Sequence, residues 1–208
     1  MLESLLHINI TKSEAKNNIS LDKLHADNKD MRLDLLAEVD GKYLIDLEIQ
    51  NKNEYNIIDR DDNYTSYIRH DSLKIGDKHQ EASKVIIIWI LGYNLFPNGS
   101  YHDESITVRA YNKEVLSENF KTHFFQMPRF IKSVRENKTL EEQWLAYLSN
   151  QLNSDELEEL FAMNRSIEEV NRIAEIAMTD KDVKEAILAK TLNQDRENLI
   201  YQKGEKDT

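Results

Sequence analysis

The sequence predicts a mixed α/β fold, a β-sheet of mixed strand direction flanked by helices, with a helical C-terminal extension. Three observations predict it. The 208 residues are 40% hydrophobic and 31% charged, a balance that supports a buried core and excludes wholesale disorder. Short segments of alternating or β-branched residues, the mark of strands, fill much of the chain up to Met127. From Thr139 the pattern turns to helix, rich in Glu, Lys, Ala and Leu. This reading gives one domain over residues 1–150 and an acidic helical extension over 151–208.

The first element is a hairpin. Met31–Val39 and Lys42–Gln50 both alternate, and Asp40-Gly41 between them is a strong turn signal. Glu54–Leu73 carries Ile57, Ile58, Tyr64, Tyr67 and Ile68 at helical spacing. Val85–Leu91 is short, β-branched and unbroken, which predicts a strand buried on both faces at the sheet centre. Strands follow at Ser105–Tyr111 and Phe120–Met127, with turns at Asn98-Gly99 and Asn112-Lys113 and with Pro128 closing the last strand. Thr139 and Glu142 form a capping box that opens a helix through Trp144, Leu145, Tyr147 and Leu148. Ser154–Tyr201 predicts two or more helices broken near Thr179-Asp180.

Composition excludes several functions. The chain has no Cys, so disulfides, thiol nucleophiles and Cys-ligated zinc are ruled out. The apolar run Val85–Leu91 is about a third of the roughly 20 residues a membrane helix needs. The N-terminus lacks the features of a secretory signal, so a cytoplasmic protein is expected. With so few glycines there is no phosphate-binding loop, and no nucleophile elbow is present. The six His show no local metal-ligand spacing, so no zinc site is expected. Net charge is −11, which disfavours nonspecific binding to phosphate backbones. The residues from Asn150 onward carry −6 of it.

The hairpin carries the chemistry. A two-residue loop would set Leu33 opposite Glu48 and Leu35 opposite Asp46, mixing core with charge. An odd loop such as Val39-Asp40-Gly41 sorts the faces. Leu33, Leu35 and Ala37 then share one face with Tyr43, Ile45, Leu47 and Ile49. The other face gathers Arg32, Asp34, Asp46, Glu48 and Gln50, with Asp34 facing Asp46 and diagonal to Glu48, roughly 5 to 8 Å apart at Cβ. The alternative is a solvated strand face. Against it, Asp and Glu are poor strand formers, and the following helix should cover the face and make it a cleft. Clustered carboxylates there suit Mg²⁺ or Mn²⁺ and phosphoryl chemistry.

Asp34, a gap of thirteen residues, then Glu48-Ile49-Gln50 resembles the Asp, Glu-x-Lys core of the PD-(D/E)xK nucleases. It resembles more closely the recombination-promoting nuclease and putative transposase family, in which Gln takes the Lys position. The similarity extends from Arg32-Leu33-Asp34-Leu35-Leu36-Ala37 through Asp40-Gly41-Lys42, and on to Arg60, Tyr64 and Gly76. It continues through Val85–Leu91, Leu116–Phe130 and Trp144-Leu145-Ala146-Tyr147-Leu148. The resemblance implies a restriction-endonuclease-like sheet and a metal-dependent DNA endonuclease. Asp34 and Glu48 become metal ligands, the Ile49 carbonyl completes the coordination, and Gln50 orients the attacking water. Arg60 and Tyr64 fall at helical spacing on the DNA-facing side, although packing explains the tyrosine equally well.

Only 33 residues precede Asp34, fewer than is usual in the family. That implies a shortened first helix and leaves an alternative, a catalytically inactive nuclease-fold module acting in oligomerisation or DNA binding. The apolar stripe Ile173, Ile176, Ala177, Ile187 and Leu188 fits either intramolecular packing or a homodimer through the C-terminal helices.

Overall fold

A computed structural model describes residues 1–16, 20–21, 31–32, 35–73, 76, 78–130, 136, 138–177 and 179. The chain divides into two compact units, Met1–Ile131 and Lys132–Thr208.

The first unit opens with α1 (Leu2–Leu6) and β1 (Ser13–Lys16), then β2 (Ser20–Leu21) and β3 (Met31–Arg32), which pair with each other as a small ladder of their own. β4 (Leu35–Val39), β5 (Tyr43–Gln50), α2 (Ile57–Asp71), β6 (Lys84–Leu91), β7 (His102–Val108) and β8 (Val115–Gln126) follow. β1, β4, β5, β6, β8 and β7 lie in that order in one six-stranded sheet. β5, β6 and β8 run parallel, and the outer pairings are antiparallel. The fold is therefore α/β with a mixed, restriction-endonuclease-like sheet, as the sequence predicts.

β6 lies inside the sheet, and all its residues from Val85 onward are buried. A parallel strand with both faces covered reads as an unbroken apolar run, which explains its sequence. One side of it builds a core of Leu36, Leu44, Ile57, Tyr64, Ile68, Val85, Ile87, Trp89, Leu91 and Phe124, so α2 covers this face. Two hydrogen bonds to one carboxylate help to fix the helix there. Trp89 Nε1 donates to Asp61 Oδ1 at 2.9 Å, and Thr122 Oγ1 donates to Asp61 Oδ2 at 2.8 Å. One carboxylate of α2 thus ties the helix to β6 and β8 together.

The hairpin register differs from the expected one. Val39 pairs with Tyr43 and Leu36 with Asp46, so the loop is Asp40-Gly41-Lys42 and Leu36, rather than Asp34, stands opposite Asp46. Asp40 and Gly41 both take positive φ, 53° and 62°, as an Asp-Gly turn of the I′ kind does, and Lys42 N donates to the Val39 carbonyl. Lys42 is the extra residue. The count is still odd, so the sorting of faces holds. The Asp40 carboxylate also accepts from the backbone N–H groups of Thr11 and Lys12, tying the turn to the start of β1.

Other boundaries shift. Met31–Arg32 and Leu35–Val39 pair in different sheets, β7 starts at His102, β8 starts at Val115, and α2 starts at Ile57. Leu33 and Asp34 lie outside the described residues. In the second unit Thr139 and Glu142 form the expected capping box ahead of α3 (Leu140–Leu148). α4 (Ser154–Met163) and α5 (Arg165–Ala177) follow, separated at Asn164. α5 leaves Val170, Ile173 and Ile176 exposed; Asp180, Ile187 and Leu188 lie outside the described residues.

Replacing Asp61 by Ala leaves a buried indole N–H and a buried hydroxyl without their acceptor. The unfolding free energy from urea titration should fall by about 2–3 kcal/mol, while Asp62→Ala, exposed on the same helix, should change it by less than about 0.5 kcal/mol.

Candidate active site

The site lies on the α2-covered face, toward the carboxyl ends of parallel strands β5 and β6, where open α/β sheets commonly bind ligands. Strand alternation sends Asp46, Glu48 and Gln50 to this face, beside Ile87, Trp89 and Leu91 of β6. All three polar residues are buried, at 0%, 2% and 4% exposure. Glycine brings the strand ends together: a Cβ on Gly92 would sit 2.9 Å from the Asn51 carbonyl oxygen. Its N–H instead donates to the Gln50 carbonyl at 2.9 Å.

Arg60 of α2 enters this face. Its Nη1 donates to Gln50 Oε1 at 3.1 Å and lies 3.4 Å from Glu54 Oε2, and its Nη2 donates to Tyr64 OH at 3.2 Å and pairs with Glu48 Oε2 at 3.6 Å. The guanidinium also lies over the Trp89 and Tyr64 rings at 5.3 and 5.4 Å. Gln50 is held at both ends, since its Nε2 donates to the Lys52 carbonyl at 3.0 Å. Tyr64 is buried and stacked on Trp89 with centroids 6.2 Å apart.

Four residues singled out in the sequence, Glu48, Gln50, Arg60 and Tyr64, therefore meet in one place. Ile49 points its half-exposed side chain to the opposite face. Its carbonyl belongs to the odd-numbered set turned away from β6, because the Lys42 and Gln50 carbonyls accept from Lys84 and Gly92. Asp34 lies outside the described residues.

Three further residues join the site. Among the described residues neither carboxylate oxygen of Asp46 has a hydrogen-bond partner, and the buried Tyr93 hydroxyl has none either. Glu54 is buried against Arg60. The sequence signalled Asp46 by alternation, but Glu54, which stands ahead of α2 rather than inside the predicted helix, and Tyr93 lie in connecting segments of the structure, and nothing in the spacing singled them out.

Burial dominates the electrostatics. Desolvation raises the Asp46 carboxyl to about 8, with Arg60 opposing and Asp61 adding to it. Desolvation and then Asp46 raise Glu48 to about 9, against the pull of Arg60. One guanidinium does not compensate this many buried carboxyls. The unpartnered, buried Asp46 carboxylate beside the buried Glu48 carboxylate is a set of hard oxygen donors that fits a divalent ion such as Mg²⁺ or Mn²⁺.

Comparison with known protein families decides the relationship. A family model for PD-(D/E)XK nuclease family transposases matches residues 1–203. The chain belongs to that family. No curated protein and no solved structure gives a significant match. No described helix is long and apolar enough to cross a membrane.

The raised carboxyls set a pH dependence. Between the unfolded carboxyl range near 4 and the folded values of about 8 and 9, the folded chain holds more protons than the unfolded one. Stability then falls as pH rises through that window. In EDTA the melting temperature should drop between pH 5 and pH 9, and saturating Mg²⁺ should shrink the drop. An unaltered slope in the double variant Asp46→Asn, Glu48→Gln would show that other groups carry it.

Proposed function

We propose that this member of the family is a metal-dependent DNA endonuclease, hydrolysing phosphodiester bonds at the β5 face. The observation that carries the reading is the buried Asp46, Glu48 and Gln50 row set against Arg60, in a chain of a nuclease family. Glu48, the Ile49 carbonyl and Asp34 of the family motif are the residues that would hold Mg²⁺ or Mn²⁺, with Asp46 beside them. When bound, such an ion supplies Lewis-acid charge that polarises the phosphodiester and stabilises the leaving oxygen.

The chain's own residues do the rest. Gln50 orients the attacking water through its amide, whose position is fixed by Arg60 and Lys52. Gln50 is neutral and brings no cation of its own. Arg60 supplies the positive charge that a Lys at the motif position would carry, and Tyr64 and Trp89 hold the guanidinium in place. Desolvation strengthens each of these interactions at the moment charge develops on the phosphate. The net charge of −11 makes DNA binding weak and salt-sensitive away from this site.

A second reading rests on Arg60 lying within 3.6 Å of Glu48. In it the ion pair fills the site, and the chain is a non-catalytic module that binds DNA or oligomerises.

Supercoiled plasmid with Mg²⁺ or Mn²⁺ separates the two. Nicking by the wild type should be abolished by EDTA and reduced on the order of 10²-fold or more in Asp34→Ala and Glu48→Ala. Cleavage indifferent to both substitutions sinks the assignment; DNA retention without wild-type cleavage establishes the module.

Arg60→Ala should lower the cleavage rate on the order of 10²-fold, with Arg60→Lys recovering only part because Lys cannot span Gln50, Glu48 and Tyr64 together. Full activity in Arg60→Ala would remove the residue from the machinery.

A further inference from the structure

The sheet face turned away from α2 carries a second group of ligating side chains. β7 and β8 pair with Glu104 opposite His123 and His102 opposite Phe125. Glu104 and His123 are therefore direct cross-strand neighbours, and His102 and His123 are diagonal ones. Phe124 packs into the core beneath α2, so alternation sends His123 to the other face. This cluster and the acidic row of β5 stand on opposite sides of the sheet.

The three ligand atoms converge. His102 Nε2 and His123 Nδ1 are 3.0 Å apart, Glu104 Oε1 is 3.6 Å from His123 Nδ1, and all three ligand atoms lie within 4.8 Å of one another. A tetrahedral zinc ion with bonds of about 2.0–2.1 Å spaces its ligands about 3.3–3.4 Å apart. The two measured separations bracket that spacing. Between two imidazoles at 3.0 Å, one N–H points at the other ring's lone pair. A cation in place of that proton meets two lone pairs already directed toward a common region.

The rings are also held. His102 stacks on the fully buried Phe125 with centroids 4.3 Å apart and planes 12° from parallel, and the two His planes differ by 20°. His123 is itself 4% exposed. Glu104 is exposed, and its second oxygen, Oε2, lies 3.5 Å from Lys121 Nζ, so Oε1 is the one turned to the rings.

The donor set is chemically distinct from that of β5. Two imidazole nitrogens and one carboxylate oxygen form a borderline set that favours Zn²⁺ over Mg²⁺. We propose that His102, Glu104 and His123 form a second metal site, selective for Zn²⁺, that clips edge strand β7 to β8. Water completes the fourth position. β7 has much to gain from a clip: Glu104, Ser105, Ile106 and Thr107 are exposed, and its ladder with β8 slips register at Ile106/Thr107 and Thr107/Val108.

The test is calorimetric titration of the full, tag-free chain with Zn²⁺ while Mg²⁺ is saturating. One zinc per chain should bind, and Zn²⁺ should raise the melting temperature. His102→Ala should abolish the site, Glu104→Gln should weaken it at least about 10-fold, and Glu48→Gln should leave it intact. Co²⁺ should give the visible absorption of a tetrahedral site in the wild type but not in His102→Ala, and zinc should bleach it. Circular dichroism checks folding; if His102→Ala does not fold, Glu104→Gln, at an exposed position, decides. Absence of stoichiometric zinc overturns the proposal. So does zinc binding that survives Glu104→Gln and His102→Ala undiminished, or that disappears in Glu48→Gln.

Discussion

The desolvation of carboxyl groups on the covered face of β5 is the constraint on which the rest of the structure depends. A carboxylate moved out of water without a partner costs several kcal/mol, and Asp46 has neither exposure nor a partner among the described residues. A protein selected for stability alone would place Leu or Val there, as it does at Ile45 and Leu47 on the other face. The alternation keeps acid in the buried row and aliphatics in its neighbour, so the cost is local and the ladder undisturbed. Protonation and cation binding are the two ways to relieve it, and they oppose each other.

Helix α2 answers this constraint with adjacent residues. Arg60 turns toward the row on β5, and Asp61 reaches β6 and β8 through Trp89 and Thr122. A hundred degrees of helical rotation separates successive residues, enough for one turn to serve the charged site and the anchoring contact at once. Trp89 joins them, since its indole N–H binds Asp61 while its ring lies beneath Arg60. Loosening the anchor would therefore also move the cation.

Much of this was legible in sequence because its signals are local. Keeping the aliphatic residues of both strands on one face, as at the buried Ile45 and Leu47, fixes the parity of the hairpin loop, and parity alone assigns Asp46, Glu48 and Gln50 to one face. The unbroken apolar run of β6 and the Thr139–Glu142 box are equally short-range. The absolute register was not legible: three-residue loops with Lys42 or with Val39 as the extra member have the same parity, and the choice rests on Asp40 and Gly41 both adopting positive φ. Tyr93 was missed because connecting segments have no period, and Glu54 because it was read as the first residue of a helix that starts only at Ile57. The His102, Glu104 and His123 group was missed for another reason. Its members are neighbours only through the β7–β8 ladder, and a rule that looks for two His a few residues apart cannot see a cross-strand diagonal.

The Gln at position 50 is intelligible only together with Arg60. A Lys there would set its ammonium beside the guanidinium, two like charges in a site with little solvent, and the two would repel each other. Gln accepts from Arg60 instead and donates onward to the Lys52 carbonyl, so the strand's amide and the helix's guanidinium form one hydrogen-bonded unit. Changing residue 50 alone to Lys therefore creates a conflict rather than restoring the commoner motif. A compensated exchange has to remove the guanidinium in the same step.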